Sequence, residues 1–152
     1  MNNIFNVALK HLSAKNHSTT ELKAILEKEF SSMPDLDEVL QQTIARLEEL
    51  HLINDNFIAN SQVQRYQHKG DRFIGQKLQQ KGFDKEFIDK TLKSLPDEFE
   101  RALPEARKKL QILRNLEPKT KENKLLRFLS SRGFSAATCY QVIDELKGEL
   151  VT

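Results

Sequence analysis

The chain contains no tryptophan, a single cysteine and only five glycines among its 152 residues. The lone Cys139 excludes an internal disulfide and supplies no cysteine cluster for a metal, which is typical of proteins in a reducing compartment. No apolar run approaches the roughly 20 residues that a helix needs to cross a bilayer. The N-terminal segment lacks the basic start and apolar block of a signal peptide. We therefore expect a cytoplasmic protein that does not insert into membranes.

Motifs for catalysis are missing as well. Gly70 and Gly75 are too isolated to form a phosphate-binding loop, and no Gly-Lys-Ser/Thr triplet follows them. The four histidines have no partner histidine or cysteine at the spacing of metal ligands. No pattern indicates a pocket in which a carboxylate would be activated for acid–base chemistry. We predict a protein that is not an enzyme and that uses neither a cofactor nor a metal.

What the sequence does contain is an internal repeat. Residues 74–95 align with residues 125–146 when the chain is shifted by 51 positions, and Gly82 then falls on Gly133. Both glycines stand where a left-handed turn is expected to end a helix. A weaker copy lies upstream, within residues 22–47. A fixed period near 50 residues is typical of stacked-repeat proteins, which build long binding surfaces rather than closed pockets.

Composition and helix-start signals predict an all-helical fold. Leu, Lys, Glu and Gln are plentiful, and β-branched residues never form alternating runs. Ser18 and Glu21 have the spacing of a capping box, as do Asp97 and Glu100. Further helix caps are expected at Asp35, Asp55, Asp71, Asp84 and Ser135.

These signals predict nine helices in three groups of three. The first repeat, residues 1–52, contains helices near 3–14, 19–30 and 35–50. The second, residues 53–95, contains helices near 55–68, 71–81 and 84–94. The third, residues 96–152, contains helices near 97–115, 120–132 and 135–147. The predicted fold class is all-α, with three tandem three-helix repeats, similar to helix-turn-helix units, in an elongated curved array.

Some side chains can be assigned to the interior or to a kink. The repeat alignment predicts that Leu78 and Leu129 occupy equivalent core positions. Cys139 is expected to be a small buried residue, and Phe57 is also expected in the core. Pro104 lacks an amide donor, so it should kink the seventh helix or start it afresh.

Charge is distributed unevenly, although the net charge is only +2. Residues 1–52 hold five basic and eight acidic groups. Residues 65–82 hold five basic groups and one acidic group, and residues 107–132 hold nine basic and two acidic groups. Such asymmetry indicates a polyanionic partner or an acidic protein surface, but it also fits an ordinary solvated helix face. The candidate partner-binding residues are Arg65, Lys69, Arg72, Lys77, Lys81, Lys108, Lys109, Lys124, Arg127 and Arg132.

The middle repeat carries a specific pattern. Residues 52–53 form an aliphatic pair and residues 54–55 a polar pair that ends in an aspartate. The pattern continues through Phe57, Ala59, Arg65, Gly70, Arg72, Ile74, Leu78, Lys81 and Gly82. This run resembles the signature of the RecX family, bacterial regulators of the RecA recombinase. Two positions depart from the family pattern, since His51 stands where a glycine is preferred and Asn54 replaces an aspartate.

The resemblance implies a function that composition does not indicate. A RecX-like protein is expected to bind the RecA–DNA filament, to lie in its helical groove, and to restrain its recombinase, ATPase and coprotease activities. The expected partner is the recombinase filament, bound by a monomer, with electrostatic contact to DNA as a further expectation.

Two other readings of the sequence stay open. One is a module that binds nucleic acid directly, each helix pair acting like a helix-turn-helix. No helix presents a clustered face of base-reading side chains, which argues against sequence-specific reading. The other is a general helical scaffold.

Overall fold

The computed structural model describes residues 2–151, with side chains from residue 3 onward, and every regular element among them is a helix. Met1 and Thr152, which belong to the first and third predicted repeats, lie outside the described residues. The first three helices are α1 (Asn2–Ala14), α2 (Thr19–Glu29) and α3 (Leu36–Glu49). The next three are α4 (Asp55–Arg65), α5 (Asp71–Gln80) and α6 (Lys85–Lys93). The last are α7 (Glu98–Ile112), α8 (Pro118–Ser131), α9 (Ala136–Glu145) and the short α10 (Lys147–Leu150).

The predicted all-α class and the nine predicted helices are confirmed. Pro104 lies at an exposed position inside α7, which runs past it without starting afresh. The short α10 was not expected from the sequence. Its Leu150 packs into the core of the last repeat, and its carbonyl accepts a hydrogen bond from Lys121 Nζ at 3.2 Å. Lys121 is buried. It therefore adds no charge to the protein surface, although it is one of the nine basic residues counted between residues 107 and 132.

Three of the predicted helix caps are confirmed. Ser18 Oγ accepts from the Glu21 amide at 3.1 Å, and Glu21 Oε1 accepts from the Ser18 amide at 3.0 Å, which completes the capping box. The side chains of Asp84 and Ser135 accept from the amides three residues ahead of them, at the starts of α6 and α9. These contacts satisfy amides that have no partner within their own helix.

Asp35 and Asp97 occupy the predicted N-cap positions of α3 and α7, but their side chains make no capping hydrogen bond, so Asp97 and Glu100 form no capping box. The predicted caps at Asp55 and Asp71 are wrong. These residues are the first of their helices, and the N-cap positions belong to Asn54 and Gly70. The reason is tertiary, because both carboxylates bind groups of a neighbouring repeat. Asp55 Oδ1 accepts from the Thr19 amide at 3.0 Å, and Asp71 pairs with Arg101.

Each group of three helices surrounds its own apolar cluster. The first comprises Ile4, Ala8, Leu22, Leu26, Leu40, Ile44, Leu47 and Ile53. The second, and smallest, comprises Ile58, Ala59, Ile74, Leu78 and Phe83. The third comprises Ala102, Ala106, Leu110, Leu125, Leu129, Phe134, Cys139, Val142, Ile143, Leu146 and Leu150. The exact division of the chain at residues 52 and 95 stays a prediction.

Individual core assignments can be compared with the clusters. Leu78 and Leu129 are both fully buried, as the repeat alignment predicted. Cys139 is buried as well, and burial raises the pKa of its thiol. The assignment of Phe57 to the core is wrong, since its side chain is 59% exposed. The neighbouring Ile58 and Ala59 are the residues of α4 that face the core, which leaves Phe57 on the outer side of the helix.

The repeats meet where their second helices end. Ser18, the N-cap of α2, donates its hydroxyl to the Lys81 carbonyl at the end of α5. Gly70, the N-cap of α5, donates its amide to the Arg132 carbonyl at the end of α8, at 2.8 Å. In space, α2 therefore begins where α5 ends, and α5 begins where α8 ends. The positive end of each helix dipole lies against the negative end of the next, and end groups without intrahelical partners are satisfied.

We call the contact between the first and second repeats the first joint and that between the second and third repeats the second joint. The two joints require glycine at three positions. Gly82 and Gly133 end α5 and α8 with φ of 89°, a left-handed conformation that side chains disfavour. A Cβ on Gly70 would overlap the Gly133 carbonyl, and a Cβ on Gly82 would lie 2.7 Å from the Thr20 Cβ. The backbones of adjacent repeats are therefore in direct contact at the second joint, with no room for a side chain.

A half-buried carboxylate holds the joint between the second and third repeats. Glu98 on α7 accepts from the Asp71 amide at 2.8 Å, the Ser135 amide at 3.1 Å and the Thr138 hydroxyl at 2.6 Å. Burial acts to raise the pKa of Glu98, but these hydrogen bonds, together with one from the Ser135 hydroxyl, outweigh it and hold the pKa below its usual value. One side chain thus secures the starts of α5 and α9.

Arg101, also on α7, is the basic counterpart of Glu98 at the same joint. It pairs with Asp71 and donates to the Lys69 carbonyl at 2.7 Å and to the Pro96 carbonyl at 2.9 Å. The guanidinium is largely buried by these contacts. Arg101 therefore orients the turn that leads from α4 into α5.

The equivalent core leucines lead to a stability prediction. Leu78→Ala and Leu129→Ala should each reduce the free energy of unfolding by about 2–5 kcal/mol, because each leaves a cavity in a closed apolar cluster. The exposed Ile112→Ala serves as a control and should change it by no more than about 0.5 kcal/mol. Urea denaturation followed by circular dichroism measures all three. Losses as small as the control at both leucines would contradict the repeat alignment.

The second joint leads to another stability prediction. Gly70→Ala should destabilise the protein by about 1–3 kcal/mol or more, because the new methyl group has to displace the backbone of Gly133. Gly148→Ala in α10 is the matched control, since its Cβ would enter open space. This control should be neutral or slightly stabilising. A melting temperature for Gly70→Ala equal to that of the wild type would rule out the close backbone contact.

Candidate functional site

Basic side chains gather around two aromatic rings at the start of α5. The rings of Tyr66 and Phe73 meet edge to face with centroids 5.2 Å apart. Lys77 Nζ lies 5.5 Å from each of these two centroids. Lys69 Nζ is 4.9 Å from the centroid of Phe73, and the Arg65 guanidinium carbon is 5.5 Å from that of Tyr66. All four distances lie within the range of cation–π contacts.

A second group of the same kind lies on the third repeat. Lys109 Nζ is 5.4 Å from the ring centroid of Phe128, and the Arg132 guanidinium carbon is 4.9 Å from it. The two groups adjoin, because the Gly70 amide binds the Arg132 carbonyl at 2.8 Å. Partial burial and the positive charge of Arg132 together lower the pKa of Lys69. We call the combined area the basic–aromatic surface, which comprises Arg65, Tyr66, Lys69, Phe73, Lys77, Lys109, Phe128 and Arg132.

Local helix geometry and the second joint together build this surface. Phe73 and Lys77 are four residues apart on α5, and Phe128 and Arg132 have the same spacing at the end of α8, so each pair lies on one helix face. The contact between Gly70 and the end of α8 then brings the two helix faces side by side. Cations held over aromatic rings are suited to binding phosphates and flat rings, or acidic and aromatic protein side chains.

The structure places the predicted site residues in several environments. Five of the ten, Arg65, Lys69, Lys77, Lys109 and Arg132, belong to the basic–aromatic surface. Lys124 is exposed and lies one helical turn before Phe128. Lys108 is exposed with its Nζ 3.5 Å from Glu105, and Arg127 is exposed without a hydrogen bond or ion pair to the described residues. That any of these residues contacts a partner stays a prediction.

Two predicted site residues serve the joints instead. Arg72 donates its guanidinium to the Ser130 carbonyl at 2.8 Å, across the joint between the second and third repeats. Lys81 has its Nζ 3.8 Å from the Glu21 carboxylate, across the joint between the first and second repeats. Both side chains are therefore engaged in holding adjacent repeats together.

Sequence reasoning missed the three aromatic members of the surface. Tyr66, Phe73 and Phe128 were not singled out, although a signal was present. Phe73 and Phe128 each precede a basic residue by four positions, the spacing at which side chains meet on a helix. The adjacency of the two groups could not be read from spacing, because it depends on the backbone contact between repeats.

The described residues also bear on metal binding and on membrane insertion. Among residues 2–151, no group of three or more His, Cys, Asp or Glu side chains is placed to hold a metal ion. No helix in the described part of the chain combines the length and apolar character needed to cross a membrane.

Comparison with known sequences identifies relatives of the chain. Residues 96–143 match the family model described as RecX, third three-helix domain. The Regulatory protein RecX of Chlorobaculum tepidum is 33% identical over 146 residues, which cover 93% of this chain and 87% of that protein. The Regulatory protein RecX of Streptococcus pneumoniae (strain Hungary19A-6) is 32% identical over 153 residues. The match covers 95% of this chain but only 56% of the pneumococcal protein, so the chain spans little more than half of that relative.

Solved structures have the same arrangement of helices. The crystal structure of RecX from Lactobacillus salivarius superposes with a TM-score of 0.78 and 26% identity, covering 96% of both chains. A crystal structure of regulatory protein RecX superposes with a TM-score of 0.69 and 25% identity, covering 93% of this chain and 70% of that one. Similar in sequence along nearly its whole length and similar in fold, the chain belongs to the RecX family.

Proposed function

We propose that this chain is a regulatory protein that binds the RecA–DNA filament and restrains its recombinase, ATPase and coprotease activities. The observation that carries the proposal is the basic–aromatic surface, which crosses the joint between the second and third repeats. Relatives bear the name of regulatory proteins, which supports a regulatory rather than an enzymatic role. In this proposal the protein acts in the cytoplasm as a monomer without a cofactor.

The charge of the surface suits a filament that carries DNA. Arg132 and Lys69 lie close enough that one lowers the pKa of the other, so an anion placed near them would relieve their repulsion. Such anions are available as DNA phosphates or as acidic side chains of the recombinase. Each exposed cation contributes little alone, but several on one rigid surface bind together, because the first contact raises the effective concentration of the rest.

The joints explain how binding would restrain the filament. Backbone contact at Gly70 holds the start of α5 against the end of α8, and the half-buried Glu98 links the starts of α5 and α9. A rigid protein that contacts two neighbouring recombinase protomers holds them at one spacing. Changes in that spacing during ATP turnover or filament growth would then cost binding free energy, and both processes would slow.

Direct binding of nucleic acid is the second candidate function. The alternation of cations with Tyr66, Phe73 and Phe128 favours it, because proteins that bind single strands combine a basic track with aromatic rings on which bases stack. The two functions differ in their preferred target. Affinity for bare single-stranded DNA, compared with affinity for the assembled filament across a salt series, separates them.

Activity measurements test the regulatory function. Substoichiometric amounts of the protein should lower the rate of DNA-dependent ATP hydrolysis and of strand exchange by the recombinase, because one bound molecule contacts several protomers. Both rates are followed while the protein is titrated onto filaments formed on single-stranded DNA. If an equimolar amount leaves both rates unchanged at low salt, this chain does not regulate the filament.

Charge reversal tests the basic–aromatic surface. A variant with Arg65→Glu, Lys77→Glu and Lys109→Glu should lose inhibition by roughly tenfold or more, because attraction is replaced by repulsion at the centre of the contact. These three residues are chosen because they hold no joint, unlike Arg72 and Lys81. Inhibition by the wild type should also weaken as salt rises, since screening acts beyond a Debye length of about 8 Å at physiological salt.

The matched control for this experiment lies in the acidic first repeat. Reversal of Lys10, Lys15 and Lys23 to Glu changes the net charge by the same amount and should affect inhibition much less. Circular dichroism verifies that both variants keep their helices. Loss of inhibition in the control together with its retention in the surface variant would place the binding face in the first repeat.

A further inference from the structure

Three large apolar side chains are exposed within eight residues, where α3 ends and α4 begins. Leu50 is 46% exposed, Leu52 45% and Phe57 59%. Seven large apolar side chains are exposed in the described part of the chain, and three of them fall within these eight residues. Scattered exposed apolar residues are ordinary, whereas several exposed within one short segment make that segment a candidate contact surface.

The surroundings of this cluster are acidic. Glu48 and Glu49 are exposed at the end of α3, and Asp55 follows at the start of α4. No lysine or arginine occurs between Arg46 and Arg65. A cavity of about 340 Å³ opens here, and Glu48, His51 and Asp55 are among the residues that line it. We call Glu48, Glu49, Leu50, Leu52 and Phe57 the acidic–apolar patch, which is opposite in charge to the basic–aromatic surface.

The backbone under the patch is held in one conformation. His51 has φ of 57°, in the left-handed region that non-glycine residues seldom adopt. Two hydrogen bonds keep it there, from the His51 amide to the Glu48 carbonyl at 3.0 Å and from the Leu52 amide to the Leu47 carbonyl at 2.9 Å. This pattern closes the end of α3 and fixes the positions of Leu50 and Leu52. A patch that is already ordered loses little conformational entropy when a partner binds.

We propose that the acidic–apolar patch is a docking site for a segment of the recombinase protein that presents an apolar side chain next to a lysine or arginine. This inference rests on the proposed function. Glu48 and Glu49 repel phosphates, so the DNA of the filament is a poor occupant. Charge complementarity selects a basic protein segment, and the exposed leucines and Phe57 supply the apolar contact.

The two surfaces then recognise different parts of one target. The basic–aromatic surface binds anionic groups of the filament, and the acidic–apolar patch binds the recombinase protein itself. A target that satisfies both is bound more tightly than bare DNA, because the second contact forms within an existing complex. The patch therefore gives the protein its preference for the assembled filament over free nucleic acid.

Two patch variants test the proposal. Leu52→Ser with Phe57→Ser removes the apolar contact, and Glu48→Lys with Glu49→Lys reverses the charge. The charge reversal should preserve the fold, because cations are favoured over anions at the C-terminal end of a helix. The matched control is Ile112→Ser with Tyr140→Ser, two side chains that are 76% and 64% exposed in the third repeat. Circular dichroism verifies that every variant stays helical.

The measurement compares affinity for the recombinase filament on single-stranded DNA with affinity for the same DNA alone. Both patch variants should bind the filament at least about tenfold more weakly, while their affinity for bare DNA is kept or, for the charge reversal, increased. The control should bind both targets like the wild type. Unchanged affinity of both patch variants for the filament overturns the proposal.

Three other outcomes also decide against the patch as a recombinase site. If sedimentation shows that the wild type is a dimer and that the patch variants are monomers, the occupant is a second copy of this chain. If the wild type neither binds the filament nor slows ATP hydrolysis, the proposed function fails and this inference fails with it. A wild type that inhibits while the patch variants inhibit equally well overturns this inference alone.

Discussion

The contact of the Gly70 amide with the Arg132 carbonyl is the interaction on which the rest of the structure depends. It places the start of α5 on the end of α8, backbone against backbone, with no side chain between them. Ser18 makes the corresponding contact with the end of α5 through its hydroxyl. Helix ends that would otherwise need water or a side-chain cap are satisfied by the next repeat, so the repeats are held together by groups that every helix possesses.

This arrangement brings charges together that a single repeat would keep apart. Lys69 and Arg132 belong to different repeats, yet Arg132 lowers the pKa of Lys69. At the joint between these repeats, Arg101 pairs with Asp71, and hydrogen bonds from α5 and α9 hold the pKa of the half-buried Glu98 carboxyl below its usual value. The basic–aromatic surface contains cations that lie over aromatic rings, and it carries an excess of positive charge.

The limits of local reasoning are visible at the aspartates. Asp84 and Asp55 look alike in sequence, since each precedes or opens a helix, but only Asp84 caps its own helix. Asp55 binds the Thr19 amide of the preceding repeat instead. Phe57 shows the same limit for the core. The sequence does not tell which face of α4 turns inward, and the structure leaves Phe57 exposed. A carboxylate or an aromatic ring has several satisfactory partners, and the fold selects among them.

The helical class, the repeat and its equivalent core leucines could be predicted from the amino-acid sequence alone, because helix propensity and apolar spacing act over a few residues. The family resemblance followed from the same linear pattern, and relatives in sequence and structure bear it out. Tertiary structure was needed to show which cations share one surface, which carboxylates hold the joints, and that the two groups of cations over aromatic rings lie side by side. The physical reason is that the contacts which arrange these groups join residues far apart in the sequence, Asp71 with Glu98 over 27 positions and Gly70 with Arg132 over 62, and no local preference brings such residues together.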